Sequence, residues 1–336
     1  MSSAIYQERL LIMKFIPPKF SKLSEMASID VGRLTEDEAR AILEGLRWPK
    51  GPACPHCGSM KVTRLQAKSE KVRDGVIQCN DCRGQFTVTV GTVMHRSHIT
   101  LRQWVQAFYS MCSHKKSVSA LQLQRNLGLH SYKSAWHLAH RIRAAMSEGP
   151  FAGKLNGIVE CDETYVGGRP RGRFKNERID RRKKGIRKCY TTKTPVMVLV
   201  QRDGEAISKP IERVDGNTLK SAIRESVGQQ STIMTDESKI YKGIGREFAG
   251  GHHVVKHSMG EYARGNVTTN TAESYFSLMK RGVHGTYHHI SKQHIGRYCD
   301  EFAFRWNHRK VNDGTRAEHA IIGAEGKRLT YKKAVC

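Results

Sequence analysis

The stretch GIVECDETYVGG, residues 157–168, places three acids within four positions, behind an apolar run and ahead of a glycine pair. Side chains alternate between the two faces of a β-strand, so Glu160 and Asp162 would share one face and Glu163 would lie on the other. Asp162 would then sit in mid-strand, where an unpaired carboxylate is unfavourable unless a metal ion or another cation meets it. The stretch therefore predicts a buried strand that presents a functional carboxylate.

The composition is that of a strongly basic protein. The 336 residues, enough for two or three domains, hold 57 Lys and Arg against 31 Asp and Glu, a net charge of +26. That charge favours a polyanionic partner, most simply nucleic acid, although a ribosomal or membrane-surface protein could share it. No apolar run approaches the roughly 18 residues of a membrane span, and the N-terminus lacks a signal-peptide cleavage site. We expect a cytoplasmic protein without a membrane partner.

Two CxxC pairs, CPHC and CNDC, predict a zinc ribbon. The pairs are Cys54 with Cys57 and Cys79 with Cys82. Four thiolates close a tetrahedral site and leave no open position for chemistry, so we expect one structural Zn²⁺. Two alternatives are His56 in place of one thiol, and four buried or redox-active thiols without metal.

A helical pattern runs from Ile99 to Met146, and its turn NLGLHS resembles that of a helix-turn-helix. The basic residues on the second helix would then face bases and phosphates, and we take Lys133 and Arg141 as DNA-binding, with His137 and Arg143 nearby. The alternative is an ordinary three-helix bundle with a solvated basic face.

Two further acids follow later in the chain. Asp236 ends the apolar run of QQSTIMTDESKIY, and Glu273 lies on an amphipathic helix with Lys280 two turns later on the same face. Any one acid could be a helix cap or a surface charge. Two strand aspartates and a helix glutamate, in this order, fit a site in which hard oxygen ligands hold two Mg²⁺ ions for phosphoryl transfer.

These stretches together resemble the bacterial insertion-sequence transposases that join an N-terminal zinc ribbon to a DDE-type, ribonuclease-H-like catalytic domain. The resemblance is carried by CPHCGS, CNDCRGQFTVTVGTVMHRSHITLRQW, VECDETYVGG, TDESKIY, NTAESYFSLMKRGVHGTYHHIS and YCDEFAFRWNHR, distributed over residues 50–309.

The resemblance implies that Asp162 and Asp236 are the first two ligands of Mg²⁺ or Mn²⁺. The third position of the family motif is Glu or Asn followed by Lys, so Glu273 is the first choice and Asn270 the reserve. Lys280 and the adjacent Arg281 would contact DNA. Glu160 and Glu163 would shape the field around the ligands.

The expected fold is multidomain α/β. An N-terminal arm (1–30) precedes a leading helix and zinc ribbon (31–97), a helix-turn-helix-like segment (98–150), a ribonuclease-H-like mixed-sheet domain (151–310) and a C-terminal tail (311–336). Thr35 and Glu38 form the capping box of the leading helix. The basic insertion GGRPRGRFKNERIDRRKKGIRKC is expected to be a flexible arm that meets DNA.

The expected function is that of a DNA transposase that binds element ends and performs metal-dependent cleavage and strand transfer. Its partners would be double-stranded DNA, as element ends and as target, and further copies of the chain on that DNA, at the bacterial nucleoid. The alternatives are a non-catalytic DNA-binding regulator and another ribonuclease-H-like nuclease.

Overall fold

The computed structural model describes residues 22–65, 74–147, 153–167, 193–261 and 263–335. The arm before residue 22 and the basic insertion, apart from its first residue, lie outside the described residues. No helix in the described part of the chain is long and apolar enough to cross a lipid bilayer.

The described N-terminal region starts with two helices and a small sheet. Helices α1 (Ser28–Gly32) and α2 (Glu36–Arg47) precede strands β1 (Val62–Arg64), β2 (Ile77–Cys79) and β3 (Gln85–Phe86), which pair antiparallel in that order. The predicted capping box is confirmed, since the Glu38 amide donates to the Thr35 hydroxyl and the Thr35 amide to the Glu38 carboxylate.

Three helices follow: α3 (Leu101–Ser113), α4 (Ala120–Leu127) and α5 (Tyr132–Met146). Helix α4 ends at Gly128, whose φ of 62° is the left-handed conformation that glycine adopts without steric cost. Trp104 and Phe108 of α3 are fully buried in the core shared with α2 and α5. This core supports the turn between α4 and α5.

A five-stranded mixed sheet forms the second half of the chain. Its strands are β4 (Ile158–Val166), β5 (Thr194–Gln201), β6 (Ala206–Pro210), β7 (Thr232–Asp236) and β8 (His252–Val255). They lie in the order β6-β5-β4-β7-β8, with β4, β5 and β6 antiparallel and β7 and β8 parallel to β4. The expected mixed sheet is therefore present, with β4 at its centre.

Helices cover both faces of this sheet. Helix α6 (Gly216–Ser226) packs Leu219 and Ile223 against Val159 and Cys161 on one face. Helices α7 (Asn270–Gly282) and α8 (Ile295–Asn307) cover the other face, where the buried apolar residues are Val196, Val198, Val200, Tyr275, Met279 and Phe302. Odd-numbered residues of β4 from 159 to 163 thus point toward α6, and even-numbered ones toward α7.

The C-terminal residues differ from the expected tail. Helix α9 (Asp313–Ile322) buries Ala317, Ala320 and Ile321 in the core of α2 and α3, and a short α10 (Tyr331–Val335) follows. The spacing of these three apolar residues is that of a buried helical stripe. Helix α9 therefore completes the N-terminal core, so the expected tail at 311–336 contains a packed helix.

Candidate functional site

Asp162 and Asp236 lie level with each other on neighbouring parallel strands. The register pairs Glu160 with Met234, and two residues further along both strands come Asp162 and Asp236. Adjacent strands are about 4.8 Å apart, so the two carboxylates leave the same face as neighbours. Both residues are partly buried. Sheet pairing thus brings together two of the predicted site residues that are far apart in sequence.

Local backbone donors orient one oxygen of each aspartate. The Glu163 amide donates to Asp162 Oδ1 at 2.7 Å, and the Ser238 amide donates to Asp236 Oδ1 at 3.1 Å. Each aspartate therefore has one oxygen fixed in a defined orientation by a backbone amide.

Helix α7, which covers this side of the sheet, carries both candidates for the third position. Asn270 is its first residue and Glu273 lies three residues later; both are exposed, while Ala272 and Tyr275 face the sheet. Lys280 is also exposed, on the stripe that contains Asn270 and Glu273. Both candidates for the third position lie in the first turn, so the helix geometry leaves the choice between them open.

Asp162 and Asp236 present carboxylate oxygens on this face, and such oxygens can hold a hard cation. Carboxylate oxygens suit Mg²⁺ or Mn²⁺, and two of the acids share one strand register. Among the described residues, only the four ribbon cysteines form a group of three or more His, Cys, Asp or Glu whose ligand atoms all lie within 4.8 Å of one another. A third carboxylate would have to approach Asp162 and Asp236 for a closed metal site.

Glu163 lies on the opposite face of β4. Tyr241 donates its hydroxyl to the Glu163 carboxylate. Burial raises the pKa of Glu163 to about 7; the Tyr241 bond opposes this shift, and the charges of Asp162 and Asp236 add to it. Glu163 points away from the face that the two aspartates share.

Glu160 is fully buried, with no exposed side-chain area, and it forms an ion pair with Arg202 at 2.9 Å. Its carboxylate also accepts hydrogen bonds from Thr271 and Ala272 in the first turn of α7. The sequence singled out Glu160 only as an acid near Asp162; Arg202 and Tyr241 were not identified, because their partners lie on distant segments.

The four cysteines form the predicted metal cluster. Cys54 Sγ lies 3.6 Å from Cys82 Sγ, and Cys57 Sγ lies 3.6 Å from Cys79 Sγ. Tetrahedral Zn–S bonds of about 2.3 Å place the sulfurs roughly 3.8 Å apart, so the cluster fits structural zinc. Four thiols meet, and His56 is not part of the group.

The basic residues assigned to DNA contact divide into exposed and buried ones. Lys133 is exposed in the first turn of α5, and Lys280 and Arg281 are exposed on α7. Arg141 is 6% exposed; it donates to the His95 carbonyl at 2.6 Å and stacks 5.0 Å from the Trp104 ring centre.

The placement of Arg141 on a DNA-facing surface is therefore corrected. Helix α5 is enclosed by α3, α8 and α9, which buries positions that a solvated helix would expose. Arg143 is buried as well, and half-buried His137 contacts the Leu329 carbonyl. The sequence signal was available, since apolar Leu138 and Ala145 flank Arg141 on the same helical face.

A cavity of about 310 Å³ lies beside the end of β4 and the last turn of α7. Its lining includes Tyr165, Lys193, Lys280 and His284. Lys280 lies in the last turn of α7 and His284 follows this helix. The cavity is therefore a basic site at the end of β4, the strand that carries Asp162.

Comparisons with known proteins match the two regions that contain these residues. Residues 154–307, which contain every acid of the sheet site, match the model of the ISXO2-like transposase domain. Residues 34–85, which contain the four cysteines, match the transposase zinc-ribbon domain. The chain is also 29% identical, over 81% of its own length and 91% of the relative's, to an "Uncharacterized protein in transposable element ISH50" of Halobacterium salinarum.

Proposed function

Because the chain belongs to the insertion-sequence transposases with an N-terminal zinc ribbon, we propose that it cleaves DNA at the ends of its element and joins them to target DNA. The observation that carries the proposal is the pairing of Glu160 with Met234, since Asp162 and Asp236 come two residues further along these parallel strands. The strand order, with three antiparallel strands followed by two parallel ones, supports a ribonuclease-H-like fold of the DDE type.

The proposed site consists of Asp162, Asp236 and one residue of the first turn of α7. Glu273 is the first choice for that residue, because a carboxylate supplies charge that the amide of Asn270 lacks. Two Mg²⁺ or Mn²⁺ ions would there activate the attacking oxygen and stabilise the leaving one. Backbone amides orient one carboxylate oxygen of each aspartate.

The reaction would proceed in two displacements. A water oxygen attacks the phosphorus at the element end, and the bond to the 3′ oxygen breaks to leave a free 3′-hydroxyl. That hydroxyl attacks a target phosphodiester, and a new 3′–5′ bond replaces the old one. No side chain forms a covalent bond to DNA in this scheme.

Basic residues around the sheet site would bind the DNA. Lys280 and Arg281 lie exposed in the last turn of α7, two turns beyond Glu273, and would neutralise phosphates near the scissile bond. Lys133, next to the turn between α4 and α5, would contact DNA in a helix-turn-helix-like manner. The net charge of the chain is +26, which favours binding to DNA. We propose that its partners are the element ends, the target DNA and further copies of the chain bound to that DNA, and that it acts at the nucleoid.

A cleavage assay tests the proposal. The substrate is a supercoiled plasmid that carries the DNA flanking the coding sequence on both sides, incubated with full-length protein and Mg²⁺. We expect cuts at fixed positions in the flanking DNA and joined products with a second plasmid. Binding without cleavage would support a DNA-binding regulator instead, and cleavage of RNA–DNA hybrids or junctions without joining would support a different nuclease.

A further inference from the structure

The first turn of α7 is capped by a side chain from another element. The N-cap residue Thr269 makes no side-chain cap hydrogen bond. Instead, Glu160 Oε2 accepts the amides of Thr271 at 2.8 Å and Ala272 at 3.0 Å, and Oε1 accepts the Thr271 hydroxyl at 2.9 Å. A buried carboxylate at a helix N-terminus satisfies the unpaired amides and interacts favourably with the helix dipole.

Arg202 completes this arrangement. Its Nε donates to Glu160 Oε1 at 3.0 Å, and its Nη2 lies 2.9 Å from the same oxygen. The same guanidinium donates to the carbonyls of Asn266 at 2.7 Å and Thr268 at 3.2 Å, in the loop that enters α7. Its Nη2 also lies 3.2 Å from the Met234 sulfur on β7.

This ion pair contacts the three elements that carry the proposed ligands. Glu160 lies two residues before Asp162 on the same face of β4, Met234 lies two residues before Asp236 on β7, and Thr271 directly follows Asn270 on α7. The pair therefore lies under the proposed site and ties its three parts together by direct hydrogen bonds.

The chemistry of the position requires a glutamate. An ionised carboxylate only accepts, and this one receives hydrogen bonds from two amides, one hydroxyl and Arg202 Nε, with Arg202 Nη2 at ion-pair distance. A glutamine would turn an NH₂ group toward one of these donors, and an aspartate would be shorter by one C–C bond, about 1.5 Å. Because its oxygens are engaged by these donors, Glu160 is not available as a metal ligand.

We propose that Glu160, held by Arg202, is a positioning residue for the reaction. It sets the height and rotation of α7 against β4, so that the third ligand in the first turn of α7 can meet Asp162 and Asp236. Arg202 balances the charge of Glu160, so the cap adds no net negative charge beneath the ligands. This inference rests on the proposed function.

A matched control distinguishes positioning from simple stability. Glu301 is likewise fully buried and paired with arginines, at 2.7 Å from Arg143 and 3.0 Å from Arg305, but it links α8 to α5. Glu160→Gln and Glu301→Gln both remove the charge of a buried, arginine-paired glutamate. Their effects on thermal stability should be similar, and their effects on the site should differ.

The experiment compares full-length unmodified protein, Glu160→Gln, Thr271→Val and Glu301→Gln. Four quantities are measured: the plasmid cleavage rate in Mg²⁺, the Kd for flanking DNA, Mn²⁺ binding from the EPR signal of the free ion, and amide hydrogen exchange. For Glu160→Gln we expect cleavage to fall about 100-fold, as displacement of a site residue by about 1 Å does, with an unchanged DNA Kd. Mn²⁺ binding should weaken, and exchange of the Thr271 and Ala272 amides should speed up about tenfold.

Glu301→Gln should keep the unmodified cleavage rate, Mn²⁺ binding and exchange of the α7 amides below its unfolding temperature. The inference is overturned if Glu160→Gln and Glu301→Gln lower cleavage equally, or if Glu160→Gln cleaves like the unmodified protein. If Glu160→Gln does not fold, Thr271→Val decides, since it removes one donor to Glu160 and should slow cleavage about tenfold at unchanged DNA affinity. An unmodified protein that never cleaves DNA would contradict the proposed function itself, and the α7 exchange rates would still report on the cap.

Discussion

The carboxylate of Glu301 and the guanidinium of Arg143 form an ion pair of 2.7 Å in which both side chains are buried. Arg143 belongs to α5 and Glu301 to α8, so the pair joins the N-terminal helices to the sheet with its helices. Tyr287, just after α7, donates its hydroxyl to the same carboxylate at 2.9 Å. Buried hydrogen bonds and ion pairs of Arg143, Tyr287 and Glu301 therefore connect the N-terminal helices to the helices that cover the sheet.

Acid should weaken this network. Burial alone would raise the pKa of Glu301, but Arg143 and Arg305 outweigh it and lower the pKa to about 2, from an ordinary value of 4.5. A lowered folded-state pKa gives stability that is present above pH 4.5 and is lost as the pH falls toward 2. We expect Glu301→Gln to reduce the loss of unfolding free energy across this range, measured by urea unfolding at each pH.

The exposed pair of Arg224 and Glu247, at 2.6 Å, supplies the control. Solvent screens such pairs, so Glu247→Gln should leave the acid dependence nearly unchanged. At neutral pH, Glu301→Gln should be less stable by about 3–5 kcal/mol, because two buried arginines lose their partner. Equal acid profiles for Glu301→Gln and the unmodified protein would show that this network does not titrate as described.

The cysteine cluster should hold about one zinc ion per chain. Cys79→Ser should lose the metal and increase amide exchange over residues 54–86, because zinc binding and folding of such a ribbon are coupled. Cys112→Ala is the matched control, since Cys112 is a buried free cysteine outside the cluster. Elemental analysis that finds full zinc content in Cys79→Ser, or none in the unmodified protein, would rule out this assignment.

Removal of the Lys133 side chain should change the salt dependence of DNA binding, and removal of the Arg141 side chain should change the stability of the protein. Lys133→Ala should lower the slope of log K against log salt by about 0.9 if it neutralises one phosphate, with unchanged stability. Arg141→Ala should leave the slope unchanged and cost about 1–3 kcal/mol, because a buried hydrogen bond and a ring contact are lost. Binding titrations at several salt concentrations and urea unfolding measure both effects. A flatter salt slope for Arg141→Ala would show that Arg141 contacts DNA.

Patterns within a single segment predicted much of this structure. The cysteine spacing identified the metal cluster, and the capping residues Thr35 and Glu38 identified the start of α2. The apolar run of "GIVECDETYV" located the central strand β4 and its alternating faces. Each of these features depends on residues that are close in sequence or that repeat with a simple period.

Features that depend on pairing between distant segments were not predicted. The role of Glu160 follows from Arg202 and Thr271, which reach it only through the β4–β5 pairing and the docking of α7. Arg141 is buried because α8 and α9, from the far end of the chain, cover α5; its apolar neighbours Leu138 and Ala145 were the local sign of this burial. The C-terminal helix α9 was taken for a tail because its core partners lie at the opposite end of the chain.

Of the two candidates in the first turn of α7, Glu273 should be more important for cleavage than Asn270. We expect Glu273→Gln to lower cleavage about 100- to 1,000-fold, because loss of a charged group at such a site has that scale, and Asn270→Ala to lower it less. Rates in Mg²⁺ and Mn²⁺ on the plasmid substrate provide the comparison, with circular dichroism to confirm that α7 is intact. The reverse ranking would assign the third position to Asn270.

The most direct test of the proposed metal-dependent site is the Mg²⁺-dependent cleavage rate of Asp162→Asn and Asp236→Asn. Each substitution removes a negative oxygen ligand and keeps the size of the side chain and the strand pairing. We predict that cleavage of the plasmid falls by orders of magnitude, because metal charge stabilisation supplies much of the rate. DNA affinity should be retained or slightly increased, since less negative charge then faces the phosphates. Folded Asp162→Asn and Asp236→Asn proteins that bind the same DNA and cleave it at nearly the unmodified rate would contradict the proposed active site.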